Sequence, residues 1–598
     1  MALQTSELTT DVTIRLVGES GEGTISLGEL AAKMLTKLGL EICTFQTFPA
    51  EIKGGTVMFQ IRARAGEVLT EGDAANILVA LTEDGFVSMG GNVAGDGIIL
   101  YDSDVFTPPT VEGRWLLGMP ISTMGKVLKD SLRSELEGDQ VARLPAPKNM
   151  IGLGALLTLI DAPLTPAEEY IKELFGRKGD AIVRMNQRAL NAGADKVKEQ
   201  LEGRTIPHIT AQERTAPIVT VSGNQMIAMG ALAAGLGFFG GYPITPATEI
   251  MEFLAKELPR FGGDLIQAED EIAALAMCIG ASYAGKKTMT SSSGPGISLM
   301  VELINLAGQA EVPVVIVDVQ RGGASTGMPT KTSQGDLNLA VYGVHNESPH
   351  IVFAAASVED CFWATIEAFN LAEQCQCAVL LLSEQSLATK KVTIPPPNTA
   401  EIRIVNRKTP TEDQLGERYH RYADTLTGVS PMSSPGLPGG AYVATGIEHD
   451  ELGNPGYTPE LARQMKDKRF RKLDTLVREQ GSQYAHQFGP AEGPLDVGII
   501  AFGSTEGVIR EATAAAAATG LKVGHLHLRL LNPLPIEQVE EFASRCKQIL
   551  VPELNYTGQL AGWLRSQVGL KLHTYHKDEG VPFVAKELIE EIKSVAAR

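Results

Sequence analysis

From Gly240 to Asp336 the chain repeats one rhythm. A short apolar run ends in small and polar residues, and a stretch of helical length follows. The polar clusters are G-G-Y-P-I-T-P-A-T (Gly240 to Thr248), L-I-Q-A-E-D-E (Leu265 to Glu271), T-M-T-S-S-S-G-P-G (Thr288 to Gly296) and V-V-I-V-D-V-Q-R-G-G (Val314 to Gly323). K-T-S-Q-G-D-L (Lys331 to Leu337) closes the series. Runs that are apolar throughout read as buried parallel strands, and helices are predicted over Glu249 to Leu258, Glu271 to Ala284 and Ile297 to Gln309. Loops at the carboxyl ends of parallel strands gather along one edge, where ligands bind. Tyr242, Thr245, Glu269, Ser291 to Ser293 and Arg321 are therefore expected on one rim, although they span about 80 residues of sequence.

The same βα rhythm appears at both ends, so the fold class is α/β with three α/β domains. A tail covers 1–10 and the first domain 11–200. There Val12 to Val17 is a strand, Gly18 to Gly23 opens a helix through Lys37, and Gly39 stops it. Gly54 and Gly55 precede an alternating strand from Thr56, and Gly95-Asp96-Gly97 reads as a turn before a strand. Residues 201–215 form a linker. The central domain, 216–394, opens with a strand to Ser222, where Ser222 or Asn224 can cap the following helix. Residues 395–490 break the rhythm and read as an extended arm against a neighbouring domain or partner. Within it Lys466, Lys468, Arg469, Arg471 and Lys472 suggest a surface helix. The last domain, 491–598, contains a predicted strand from Lys522 to Leu530, with His525 and His527 on one face as structural residues.

Length changes the picture little: 598 residues suggest about four domains. Charge changes it more. With 52 basic and 71 acidic residues the net charge is −19, which argues against general nucleic-acid binding and leaves an anionic substrate to local cations. No apolar run has the roughly 18 residues of a membrane span, and the start of the chain lacks a signal pattern. Six scattered cysteines without C-x-x-C spacing read as reduced, mostly buried thiols of a cytoplasmic protein, not as metal or cluster ligands.

The rim residues suit one kind of chemistry. A buried glutamate at a strand end, Glu269, can hold a proton on a neighbouring heteroaromatic nitrogen. Arg321 offers a bidentate grip on a carboxylate. Thr245 supplies a hydroxyl on a proline-stiffened loop. Ser291 to Ser293 and Gly294 precede a helix N-terminus, which favours an anion. Together these suit carbanion chemistry on a 2-oxo acid. The Gly18 to Gly23 loop is not assigned a nucleotide, because its G-x-x-G-x-G order and its Glu19 and Glu22 oppose a pyrophosphate.

G-Y-P-I-T-P-A-T, Q-A-E-D-E-I-A-A, T-S-S-S-G-P-G and R-G-G-A-S-T-G-M-P-T-K-T-S-Q-G-D-L together resemble the α subunit of 2-oxoacid:ferredoxin oxidoreductases, and the last stretch most resembles the 2-oxoglutarate branch. The resemblance implies that 11–200 is a fused γ domain. It makes 216–394 similar to the pyrimidine-binding domain of thiamine enzymes, with a central parallel sheet, and 491–598 similar to the transketolase C-terminal domain. Ser20 and Glu22 depart from the family's N-terminal glycine motif, so no ligand role passes to that loop.

The implied reaction interconverts 2-oxoglutarate, coenzyme A and oxidised ferredoxin with succinyl-CoA, carbon dioxide and reduced ferredoxin. It runs in either direction, and its reductive sense belongs to the reductive tricarboxylic acid cycle. Glu269 matches the glutamate that bonds the aminopyrimidine of thiamine diphosphate, and Ser292 is taken with it as cofactor-binding. Asp270 and Glu271 read as the first turn of the next helix. Tyr242, Thr245, Ser293, Arg321 and Lys331 are taken as substrate-binding, with Lys331, Thr332 and Ser333 as candidates for a second substrate carboxylate. The diphosphate–magnesium motif and spaced cluster cysteines are missing from the sequence. Mg2+, a 4Fe-4S cluster and the rest of the thiamine site are therefore expected in a smaller β subunit, in an (αβ)2 assembly with a wide apolar interface. The alternatives are the same chemistry on pyruvate, a branched-chain 2-oxo acid or indolepyruvate, and a non-catalytic assembly or regulatory subunit.

Overall fold

In a computed structural model, residues 11–48, 55–201, 203–204, 206–214 and 216–598 are described. The expected tail 1–10 and Gly54 lie outside them. The chain forms two compact units. One comprises the residues up to Thr220 with Lys390–Pro396, and the other Val221–Thr389 with Pro397–Arg598.

In the first unit the strand Asp11–Glu19 runs antiparallel to Thr56–Arg64 and parallel to Ala75–Ala80. Val12, Ile14 and Leu16 bury one face under the helices Thr24–Lys37 and Lys148–Leu159. Gly23 caps the first helix at φ 90°, where a Cβ would sit 2.6 Å from Asn149 Oδ1. Gly95-Asp96-Gly97 is not a turn. All three lie within the strand Val93–Asp102, opposite a register irregularity between Ala75 and Ile77. The glycines let the strand bulge while remaining paired. The described residues of the linker are irregular but pinned: Ile206 and Ile209 are buried, and the Gln212 N–H donates to Leu38 O at 2.8 Å. The end of the expected central domain also belongs here. Strand Lys391–Ile394 pairs with Glu41–Thr47, the Ile42 N–H donates to Thr393 Oγ1 at 2.8 Å, and Lys390 pairs with Glu71.

The second unit holds a seven-stranded sheet in the order Leu530–Asn532, His350–Ala354, Ala378–Glu384, Val314–Gln320, Thr288–Ser292, Phe238–Gly241, Asp264–Gln267. All pairs are parallel except the one made by Leu530–Asn532. A five-stranded sheet follows the order Ala485–Phe488, Val523–Leu528, Leu495–Ala501, Cys546–Glu553, His573–His576. The strand predicted over Lys522 to Leu530 thus splits at Arg529, whose guanidinium pairs with Asp360 at 2.7 Å over the Phe353 ring. Its first half joins the five-stranded sheet, and the chain then enters the seven-stranded one. One apolar core, including Leu275, Ile316, Leu382, Leu528 and Phe542, serves both. His525 and His527 alternate with Leu526 and Leu528 and are buried side by side on the other face of their strand, His525 Nε2 to His527 Nδ1 3.2 Å, and burial pulls His525 down to about 3.

The segment 395–490 corrects the sequence reading. Its helix, Pro459–Gln480, is no surface helix: Lys468, Arg469 and Lys472 are buried with Met465, Leu473 and Leu476. The i, i+3, i+4 spacing puts these basic residues on the inward face, where Glu311 receives Lys468 and Lys472 and Glu448 receives Arg469 at 2.8 Å. Lys468 Nζ lies 2.7 and 2.8 Å from the two Glu311 oxygens, and Lys472 reaches the same carboxylate. Arg421 donates to the Glu311 carbonyl at 2.7 Å. Nearby, Arg407 forks onto Glu373 and also donates to Ser282 O and Lys286 O. Lys466 and Arg471 alone behave as expected, in exposed pairs with Glu347 and Asp424.

Candidate active site

The strand Phe238–Gly241 ends at Tyr242, and the loop to Thr248 carries Thr245, which precedes a cis proline. The loop is held from beneath by Asn224. Ser222 caps the helix Gly223–Ala233 through a bond from the Gln225 N–H. That leaves the fully buried Asn224 amide to donate to Pro246 O at 2.9 Å and to Glu249 at 3.2 Å. Tyr242 and Thr245 are exposed.

Glu269 follows the edge strand Asp264–Gln267, held where the Ala268 N–H donates to Gly241 O at 2.8 Å. It was expected to be buried; in this unit it is exposed, because no strand lies beyond Asp264–Gln267. Its carboxylate has no hydrogen bond or ion pair among the described residues. Asp270 and Glu271 take the roles read for them. Asp270 accepts from the Ala273 N–H at 2.7 Å as helix cap, and Glu271 is buried in the first turn.

Arg321 leaves the strand Val314–Gln320 and donates to Thr245 O at 2.6 Å, which joins two rim loops. The chain then makes a closed loop. The Gly322 N–H donates to Lys331 O at 2.9 Å, and the Met328 N–H donates to Gly322 O at 2.7 Å. Gly323 and Gly327 turn it at positive φ. Arg321 and Lys331 therefore sit at the two feet of one loop. Lys331 Nζ has no partner among the described residues, and burial lowers its ammonium below the ordinary lysine value. Thr332 and Ser333 are placed differently. Both are buried, with Thr332 bonded to Ser386 at 3.1 Å and Ser333 to Leu554 O at 3.2 Å. They fasten the loop rather than face a ligand.

Ser291, Ser292 and Ser293 lie beneath the rim, buried at the end of the strand Thr288–Ser292. The helix N-terminus read as an anion site already has an anion. A methyl group on Gly294 would sit 2.7 Å from both Asp336 oxygens, so the chain's own carboxylate faces that terminus. Asp318, the strand neighbour of Ser292, is fully buried with neither oxygen hydrogen-bonded, and the Ser292 and Ser293 hydroxyls are likewise unpartnered among the described residues. Burial and then Asp336 push Asp318 well above the ordinary carboxylate range. Burial lifts Asp336 to about 6, with Arg321 opposing.

Sequence reasoning offered Asn224 only as a helix cap, a place Ser222 takes, and gave no role to Gln334 or Asp336. The last two stand in the Q-G-D-L stretch, but their work is done by partners far along the chain, which local pattern does not display.

The chain's residues fit one end of thiamine diphosphate. An unpaired carboxylate at a strand end suits the proton-bearing nitrogen of an aminopyrimidine. For the diphosphate and its metal, no group of three or more His, Cys, Asp or Glu residues able to hold an ion occurs among the described residues. All six cysteines are free and five are buried.

Comparison with known proteins places these features. A family model described as pyruvate flavodoxin/ferredoxin oxidoreductase, thiamine diphosphate-binding, matches residues 229–467. One for pyruvate ferredoxin/flavodoxin oxidoreductase matches 13–196, and one for core domain II of pyruvate:ferredoxin oxidoreductase matches 496–587. The 2-oxoglutarate oxidoreductase subunit KorA of Mycobacterium tuberculosis is 33% identical, over 98% of this chain and 92% of its own. A 2-oxoacid:ferredoxin oxidoreductase α subunit of Aeropyrum pernix is 29% identical over 98% of both. Among solved structures, the 2-oxoglutarate:ferredoxin oxidoreductase of Magnetococcus marinus, determined with 2-oxoglutarate, coenzyme A and succinyl-CoA bound, has a TM-score of 0.92 and 38% identity, over 98% of this chain and 100% of that one. No helix among the described residues is long and apolar enough to cross a membrane. The chain belongs to the 2-oxoacid:ferredoxin oxidoreductases, as an α subunit close to 2-oxoglutarate synthase.

Proposed function

We propose that this chain is the α subunit of a 2-oxoglutarate:ferredoxin oxidoreductase that interconverts 2-oxoglutarate, coenzyme A and oxidised ferredoxin with succinyl-CoA, carbon dioxide and reduced ferredoxin. The observation that carries the substrate is the pair of cations at the feet of one loop, Arg321 joined to Thr245 and Lys331 without a partner. A 2-oxo dicarboxylic acid has two carboxylates to hold, and a monocarboxylic one leaves Lys331 idle. Arg321 grips the carboxylate beside the keto group, and Lys331 holds the distal one. Tyr242 and Thr245 line the approach, with Ser292 and Ser293 beneath it.

Thiamine diphosphate, when bound, supplies the nucleophilic carbon that makes decarboxylation of a 2-oxo acid reversible. Glu269 holds the proton at its aminopyrimidine nitrogen. A β subunit holds the diphosphate, Mg2+ and a 4Fe-4S cluster that passes electrons to ferredoxin, in an (αβ)2 assembly. What supports a partner here is the exposure of Tyr242, Ile266 and Ile272 around Glu269. A carboxylate required to work out of water needs a second surface to cover it.

The test is anaerobic. The chain is purified with the smaller subunit that accompanies it, and coenzyme-A-dependent viologen reduction is followed with 2-oxoglutarate, pyruvate and 2-oxoisovalerate. Selective turnover of 2-oxoglutarate is expected. Equal or greater turnover of pyruvate removes the two-cation argument.

A further inference from the structure

The loop that carries Lys331 is fastened by an amide on which the reaction makes no direct call. Gln334 is fully buried and its bonds reach three segments. Its N–H donates to Leu554 O at 2.7 Å, and its side-chain oxygen accepts the Leu554 N–H at 3.0 Å. Its side-chain nitrogen donates to Glu384 Oε1 at 2.8 Å and to Phe502 O at 2.9 Å. Its carbonyl accepts from Asn555 at 3.1 Å. Glu384, buried at the end of the strand Ala378–Glu384, is held in turn by the Ser504 N–H at 2.9 Å and by the Ser504 hydroxyl.

This network is built with no spare room. Gly503 has φ 69°, and a Cβ there would collide with Glu384 and sit 2.6 Å from Gln334 Nε2. Asn555 also bonds Glu553 at 2.9 Å, and the Glu553 carboxylate accepts the Leu560 and Ala561 N–H groups. One residue further on, the Gly335 carbonyl accepts from Gln559 at 2.7 Å. Lys331 itself packs its stem against the segment after His576: a Cβ on Gly580 would lie 2.7 Å from Lys331 Cβ. So the backbone on one side of Lys331 is fixed by Gly322 and on the other by Gln334, while its ammonium stays free.

We propose that Gln334 is a positioning residue: it sets the height of Lys331 above Arg321 and so tunes the enzyme to the length of a 2-oxo dicarboxylic acid. The proposal rests on the reading of Lys331 as the cation for the distal carboxylate. A fully buried amide with every bonding group in use is stiff, because any shift leaves a buried donor or acceptor unmade. A lysine stem has four rotatable bonds, so the backbone beneath it must be fixed if its charge is to measure distance. The network also ties that loop to strand ends of both sheets, at Glu384 and at Leu554, which follows the strand Cys546–Glu553.

The test uses the enzyme with its partner subunit and four forms: wild type, Lys331→Met, Gln334→Met and the double variant. KM and kcat are measured for 2-oxoglutarate and for 2-oxobutyrate, a similar acid without the distal carboxylate. Gln334→Met is expected to raise KM for 2-oxoglutarate about 10-fold, to leave its kcat within about twofold, and to leave 2-oxobutyrate unchanged. In the Lys331→Met background it is expected to add nothing further. Hydrogen exchange of the 331–336 amides should quicken in the same variant. Should Gln334→Met fail to fold, Ser504→Ala, which loosens Glu384 only, carries the same test with a shift of about threefold. A fall in kcat for both acids, or a Gln334 effect that multiplies independently of Lys331→Met, overturns the proposal. A wild-type preference for 2-oxoglutarate that Lys331→Met leaves intact overturns the underlying reading, and the proposal with it. A preference that Lys331→Met abolishes and Gln334→Met preserves overturns the proposal alone.

Discussion

Two glutamates in the same unit show opposite uses of charge. Glu269 stands exposed at the end of an edge strand with no partner among the described residues. Glu311 is fully buried, and its carboxylate and carbonyl together engage Lys468, Lys472 and Arg421. Burial alone would raise Glu311, but the cations win and hold it below the usual carboxylate range. Burial brings Lys468 down to about 7, with Glu311 opposing and Lys472 and Arg421 adding to the fall. A carboxylate satisfied by its own chain is part of the scaffold. One left unsatisfied at a rim is kept for something the chain does not contain.

That contrast breaks most sharply under amide substitution. Glu269→Gln is expected to reduce turnover about 10³-fold or more while leaving the melting curve of the assembled enzyme unchanged, because nothing in the chain leans on it. Near-normal turnover would remove Glu269 from the reaction. Glu311→Gln is expected to do the reverse. It leaves buried cations without their carboxylate, at a cost of about 3–5 kcal/mol in denaturant titration, while the folded fraction keeps its kcat. A variant as stable as wild type would show that the cluster is not what holds the helix Pro459–Gln480 in place.

The same contrast explains what the sequence could and could not tell. The rim was legible because short strands alternate with helical stretches and polar loops follow the strands, so alternation alone ordered Tyr242, Thr245, Glu269 and Arg321 along one edge. The helix Pro459–Gln480 was misread because five basic residues in seven positions look like a solvated face. Only the tertiary partner, Glu311, about 150 residues earlier, makes an inward lysine tolerable. Ser292 and Ser293 failed to reach the surface for a related reason. A helix N-terminus attracts an anion, and pattern does not reveal that Asp336 already supplies it. The split at Arg529 likewise turns on Asp360 and Phe353, neither of which is near it in sequence.

Lys331 sharpens the comparison from the other sign. It is a cation left unpaired where Lys468 is doubly bonded. Lys331→Met is expected to lower kcat/KM for 2-oxoglutarate by about 10- to 100-fold, the worth of one charged hydrogen bond, and to leave pyruvate within about twofold. Parallel kinetics on the two acids check it, and equal losses would assign Lys331 to the loop's structure instead.

The smallest effect concerns a pair that belongs to neither class. Asp318 and Asp336 are deeply set like Glu311, yet no cation neutralises Asp318, so protonation must do so. Asp336 is raised from an ordinary 3.8 to about 6. The sign follows from which state binds the proton. Between those values the unfolded chain has released it and the folded chain retains it, so rising pH favours the unfolded chain and stability falls. The loss is about 1 kcal/mol from pH 5 to pH 6, and it levels off above the folded value. Asp336→Asn cannot ionise, so its denaturation midpoint should be flatter across that window, relative to wild type. A wild-type midpoint that rises from pH 5 to 6 and stays parallel to the variant's would mean that Asp336 is charged throughout. It would then act purely as the fixed anion at the helix N-terminus beside Gly294, a second scaffold carboxylate like Glu311.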